Sequence, residues 1–188
     1  PAKLRKNPFH VTGVDQLAPK VWNLTLAPPA GGAYTYLPGQ FHFITLYRAA
    51  GLPEEEHHFT ISSSPSQAGA VCSTIKESGD FTSTIGNTRP GDTAVVHGAF
   101  GRFSYMLHGG REPVFIAGGI GITPIMGMLR HMQDTGAQDK PLLLYANRTE
   151  ERIAFRDELE RMCGDDPPGL ERVHVLSRPA EGWDGERG

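Results

Sequence analysis

The stretch Val114-Phe-Ile-Ala-Gly-Gly-Ile-Gly-Ile-Thr-Pro124 constrains the fold more than any other part of the 188-residue chain. Residues 114–117 are a short continuous apolar run, the pattern of a strand buried on both faces. Glycines follow at once, and Thr123 is placed to cap a helix whose first position is Pro124. Ile125, Met128, Leu129 and Met132 then recur at i, i+3, i+4 and i+7, one apolar helical face. From Gly119 the turn reads G-x-G-x-x-P, which departs from the dinucleotide fingerprint only in its last place. Glycines there let backbone N–H groups approach a pyrophosphate, and the helix turns its positive end toward that anion. A glycine-rich connection holding no ligand is the alternative. The strand before and the helix after are the context the motif requires, so the nucleotide reading leads.

The chain beyond this helix keeps the same grammar. Residues 142–145 form a second buried strand, 153–162 a helix with Phe155, Leu159 and Met162 on one side, and 172–177 a third strand. Strand, helix, strand, helix, strand is half of a doubly wound nucleotide-binding sheet. At the end of the second strand, where such sheets often place an acid against the ribose, the chain has Tyr145-Ala-Asn-Arg-Thr149. Asn147 and Arg148 are the candidate contacts. A guanidinium suits a 2′-phosphate and tilts the cofactor toward NADPH; a solvated arginine at a strand end is the other reading.

Up to His108 the pattern differs. Residues 21–26 and 41–47 largely alternate apolar and polar side chains, the period of half-buried strands. Further strand candidates are 9–14, 59–62, 71–75 and 93–97, separated by Leu37-Pro-Gly39, Ser78-Gly-Asp80 and Arg89-Pro-Gly-Asp92. Six short strands without long helices suggest a closed or nearly closed antiparallel barrel. The chain therefore divides into residues 1–108 and residues 109–188. The 23 glycines and 15 prolines are dispersed, which fits many tight turns.

Composition removes several classes. Lys plus Arg number 18 against 21 Asp plus Glu, a net charge of −3, and a nucleic-acid binder usually carries a concentrated basic surface. Cys72 and Cys163 make no CxxC pair and no disulfide framework, and a reducing compartment is the default. A membrane-spanning helix needs about 20 mostly apolar residues. Residues 21–47 are broken by prolines and glycines, and 113–129 are too short. No HExxH supports a zinc hydrolase and no G-x-S-x-G a serine hydrolase, so no metal ligands are assigned. The acidic Glu54–Glu56 loop reads as a solvated turn.

Two weaker signals lie in the first half. His57-His-Phe-Thr-Ile-Ser-Ser63 puts an aromatic and several hydroxyls on one strand, and Gly79-Asp-Phe-Thr82 is a turn before a short helix that could present N–H groups to a phosphate. In order with Gly118-Gly-Ile-Gly-Ile-Thr-Pro124, and with Leu37-Pro-Gly-Gln-Phe41 and Gly98-Ala-Phe-Gly101 as strand-end turns, they resemble the ferredoxin–NADP reductase superfamily over almost the whole chain. The resemblance implies an antiparallel FAD-binding β-barrel followed by a partial, Rossmann-like α/β domain for NAD(P)H. Phe59 would lie against the isoalloxazine ring, and the Thr60 hydroxyl, the one catalytic candidate, would reach toward N5. His57, Ile61, Ser62, Gly79, Phe81 and Thr82 would complete the flavin side. Gly118, Gly119, Gly121, Thr123 and Pro124 would hold the dinucleotide pyrophosphate. No general base is required for hydride transfer.

Two departures refine this. His57 stands where the family motif has arginine, and His-x-Phe-Thr-Ile-Ser-Ser is similar to the ferric reductase and NADPH oxidase branch, whose dehydrogenase half follows a haem-bearing membrane domain. The opening Leu4-Arg-Lys-Asn-Pro-Phe-His-Val11 is similar to the segment after the last membrane helix there. The expectation is a flavin-dependent NAD(P)H oxidoreductase at the cytoplasmic face of a membrane, passing single electrons to a haem or metal acceptor. A stand-alone soluble reductase for an iron–sulfur partner and a non-catalytic nucleotide-binding module remain open. The family's closing Cys-Gly-Pro-like motif has no counterpart before Gly188, because Cys163-Gly164 precedes the third strand; Cys163 and Cys72 are read as structural.

Overall fold

The structure, a computed structural model, describes residues 8–30, 32–108, 112–164 and 167–188. Six strands build the first sheet: β1 (Phe9–Ala18), β2 (Val21–Ala27), β3 (Phe41–Tyr47), β4 (Glu56–Thr60), β5 (Val71–Lys76) and β6 (Thr93–Phe100). They pair antiparallel in the order β4-β3-β6-β1-β2-β5. Alternation sets which side faces in. In β3, His42, Ile44 and Leu46 are buried, while Phe41, Phe43, Thr45 and Tyr47 are partly exposed. The inward set joins Leu24, Leu26, Ile61, Val71, Ile75 and Val96 in one core.

A single bridge, Ile61 to Ser73, links the two ends of this sheet and closes the barrel. The strand expected at 59–62 therefore ends at Thr60. Ile61 and Ser62 leave β4 and turn their backbone N–H groups to Gln40 and Cys72. Among the described residues β4 and β5 do not otherwise pair, so a slot opens between residues 58–60 and 74–76.

The second sheet is parallel, in the order β10-β9-β8-β7, from β7 (Val114–Gly118), β8 (Leu142–Asn147), β9 (Glu171–Leu176) and β10 (Glu186–Arg187). Helices α1 (Thr123–Thr135) and α2 (Arg156–Arg161) share one core with Phe115, Ala117, Leu143, Tyr145 and Leu176. The predicted face of α1, Ile125, Met128, Leu129 and Met132, is buried as expected. Met126 and Gly127 are buried too, because α1 lies between this sheet and the barrel.

Three expectations need correction. β7 is not buried on both faces: Phe115 and Ala117 face the core, but Val114 is 59% and Ile116 76% exposed. The helices thus cover one face of the sheet, and the described residues place no helix on the other. The helix predicted over 153–162 shortens to α2, because Phe155 adopts φ 61° and interrupts the helical path; Ile153, Ala154 and Phe155 are buried without being helical. Thr123 does not cap α1. It lies inside the first turn, and its hydroxyl donates to Ile120 O at 3.1 Å. The boundary at 108/109 and residues 4–7 of the opening segment lie outside the described residues.

Candidate functional site

The slot is a cleft of about 520 Å³. His58, Phe59 and Thr60 form one wall, Thr74, Ile75 and Lys76 the other, and Ile120, Gly121, Thr123 and Pro124 close it from the second sheet. The pleat of β4 divides its side chains. His58 and Thr60 are on the side of their partners Phe43 and Phe41, whereas His57 and Phe59 are on the side of Ile44 and His42. His57 stacks on Phe81 at 4.1 Å between centroids and 27°, and Phe59 lies parallel to both at 6.2 and 6.3 Å. His57 Nε2 is 2.8 Å from Glu55 Oε2, so its polar edge already has a partner. The Arg48 guanidinium lies 5.2 Å from the Phe81 ring centroid.

Opposite, the glycine turn is open. Residues 119–122 make a tight 3-10 turn running directly into α1. Gly119 has φ 50°, and a Cβ added at Gly118, Gly119 or Gly121 would meet nothing within 4 Å. The Tyr145 hydroxyl, pushed to a raised pKa by burial and so kept protonated, donates to Gly119 O at 3.0 Å and pins the turn. A second cleft of about 540 Å³ passes over this turn, lined by Lys76, Asn147, Arg148, Arg152 and Ser177 among others. Three cationic side chains and no acidic one line it among the described residues. Asn147, 9% exposed, has a buried amide nitrogen with no protein partner. Open space over the glycines, an unsatisfied donor and clustered positive charge fit an anionic dinucleotide. Lys76 lines both clefts and joins them.

The structure brings His57, Phe59, Phe81 and the 79–82 turn together, and sets Phe59 and Thr60 across from Gly121, Thr123 and Pro124. Gly79, at φ 103°, is likewise open above its Cα. Other candidates are engaged elsewhere. Ile61 is a barrel core residue, and the Ser62 hydroxyl is buried against Thr74 Oγ1 at 2.9 Å. Phe81 is buried, which makes it the support under His57. The Thr82 hydroxyl accepts from Ser78 N at 2.7 Å within its own turn. Sequence reasoning missed Lys76, Arg152 and Tyr145.

Residues 115–188 match the oxidoreductase NAD-binding domain family. The chain is 30% identical to ferredoxin–NADP reductase B of Sorangium cellulosum, covering 98% of this chain and 76% of that protein. It is also 30% identical to the reductase subunit of stachydrine N-demethylase of Rhizobium meliloti, over 91% of this chain and 49% of that protein, so it spans about half that relative's length. The FAD/NAD-binding domain of nitric oxide dioxygenase from Vibrio cholerae superposes with a TM-score of 0.84 at 21% identity, over 97% of this chain and 78% of that one, and shows the same fold. With an open barrel slot facing a glycine turn, and with these relatives, the chain belongs to the ferredoxin–NADP reductase superfamily.

Proposed function

We propose that this chain is the electron-input module of a flavin-dependent NAD(P)H oxidoreductase. The observation that carries the reading is that the β4–β5 slot and the cationic cleft over the glycine turn meet, with Lys76 common to both. The chemistry an FAD held here would supply is hydride acceptance from NAD(P)H and release of electrons one at a time. The chain's own residues hold and orient. Phe59 gives the slot an aromatic wall and Thr60 a hydroxyl, while the open space over Gly118, Gly119 and Gly121 and the Lys76 ammonium suit a pyrophosphate. Asn147, Arg148 and Arg152 suit an adenosine 2′-phosphate, which favours NADPH. No side chain has to move a proton in the hydride step, and the Tyr145 hydroxyl remains a donor to Gly119 throughout.

The acceptor is read as a one-electron haem or metal centre. The His57-x-Phe59 motif supports a haem-bearing membrane domain at a cytoplasmic face; the similarity to a reductase subunit of an N-demethylase supports a stand-alone reductase equally. No helix among the described residues is long and apolar enough to cross a membrane. Anaerobic titration of the FAD-loaded, full-length protein with NADPH tests the reading. Loss of the flavin's visible absorbance is expected. A protein that binds both nucleotides without bleaching is a binding module instead.

A further inference from the structure

Helix α1 carries the glycine turn at its start and meets the barrel with its middle. A Cβ on Gly127 would lie 3.0 Å from Ile61 O and 3.2 Å from Ser63 O, so helix and barrel touch backbone to backbone. One turn further, Arg130 Nη1 donates to Ser62 O at 2.6 Å. Its Nε and Nη2 donate to the two Glu158 carboxylate oxygens at 2.6 and 2.7 Å, and its guanidinium lies 5.1 Å over the Phe155 ring. One side chain thus ties α1, α2 and the segment that closes the barrel. Arg130 and Glu158 are 21% and 25% exposed, shielded enough for a forked, charge-assisted pair to hold its geometry. Ser62 is two residues beyond Thr60, and Gly127 is four beyond Thr123; Thr60 and Thr123 line the same slot.

We propose that Arg130 is a positioning residue which, together with the close approach at Gly127, sets the separation between the Thr60 wall and the glycine turn. This rests on the slot being where flavin and nicotinamide meet. Arg130 touches neither cleft wall itself. It acts through Ser62 on one side and through α1 on the other, and a small misplacement there is costly because hydride transfer depends steeply on approach. Lysine cannot replace it, since one ammonium does not satisfy a carboxylate bidentately and a carbonyl in another direction.

The test uses the full-length holoprotein and the variants Arg130→Gln, Arg130→Lys and Glu158→Gln. Rapid-mixing flavin reduction at saturating NADPH is expected to slow by about tenfold or more in Arg130→Gln and less in Arg130→Lys. Dissociation constants for FAD and NADPH should stay within about threefold of wild type, and the long-wavelength charge-transfer absorbance of the reduced-nicotinamide complex should weaken in the same order. In ligand-free protein, calorimetry should show a broader or more split unfolding profile for Arg130→Gln than for the wild type. Wild-type reduction rates and charge-transfer absorbance in Arg130→Gln, with only a lower Tm, would reduce Arg130 to a structural tie and overturn the proposal. If Arg130→Gln does not fold, Arg130→Lys decides on the same criteria. Wild-type protein that NADPH fails to reduce overturns the underlying reading and the proposal with it, an outcome distinct from reduction that is indifferent to Arg130.

Discussion

His42 sits inside the barrel with both ring nitrogens engaged, Nδ1 at 3.1 Å from the Tyr34 hydroxyl and Nε2 at 2.7 Å from Ser73 Oγ. Burial pushes its pKa from 6.5 down to about 3. The folded state therefore refuses a proton that the unfolded chain accepts. The contribution of His42 is complete above pH 6.5 and is lost as pH falls through that value toward 3, at up to about 1.4 kcal/mol per pH unit. Denaturant unfolding of wild type and His42→Gln between pH 7 and pH 4 checks this, and the variant should show the shallower dependence. Arg148 belongs to the same scale. A charge-assisted contact to a 2′-phosphate is worth roughly 1.5–3 kcal/mol. Arg148→Ala should therefore cut the NADPH/NADH ratio of kcat/KM in the full-length protein by one to two decades. An unchanged ratio would leave Arg148 as a surface residue.

Elements show where sequence patterns sufficed. β3 was legible to the residue because one face of it is wet and one dry, so its side chains alternate. The helix after Ala154 was not, because periodicity sees Phe155, Leu159 and Met162 spaced for one face and does not see that Phe155 has a positive φ. β7 looked buried on both faces because Val114 and Ile116 are as apolar as Phe115 and Ala117; composition cannot report that one face is bare. The glycine turn was legible because clustered glycines between an apolar run and a Thr-Pro helix start are a local pattern that needs no tertiary information. Lys76 and Arg130 were not, since a long cationic side chain carries no mark of what its head group touches. A related contrast is testable among the turn glycines. Gly39 and Gly51 both have positive φ, 96° and 89°. A Cβ at Gly39 would meet Phe103 O at 2.0 Å, while at Gly51 it would meet nothing within 4 Å. Gly51→Ala should cost only backbone strain, about 1 kcal/mol. Gly39→Ala should cost clearly more in thermal unfolding, because the Phe103 backbone has to move as well.

The whole molecule is less divisible than a cut at residue 108 implies. Val21, from the barrel, is part of the second core, and Ala18 and Tyr105 pack against that core. The outward face of β7, by contrast, leaves Ile116 and Val114 open to solvent. An exposed apolar patch of this kind promotes self-association. Ile116→Lys in the 188-residue chain should reduce light scattering at high concentration and leave Tm within a degree or two, since the side chain contributes little to the core. The one-bridge closure of the barrel has a consequence of another kind. Past Ile61 and Ser73 the facing edges of β4 and β5 have backbone groups with no ladder partner. Amide hydrogens along this seam trade with solvent deuterium on a timescale set by local access and not by global unfolding. The seam is therefore a built-in clock: its exchange rate reads out, peptide by peptide, whether anything lies in the slot, in a protein that need not be turning over.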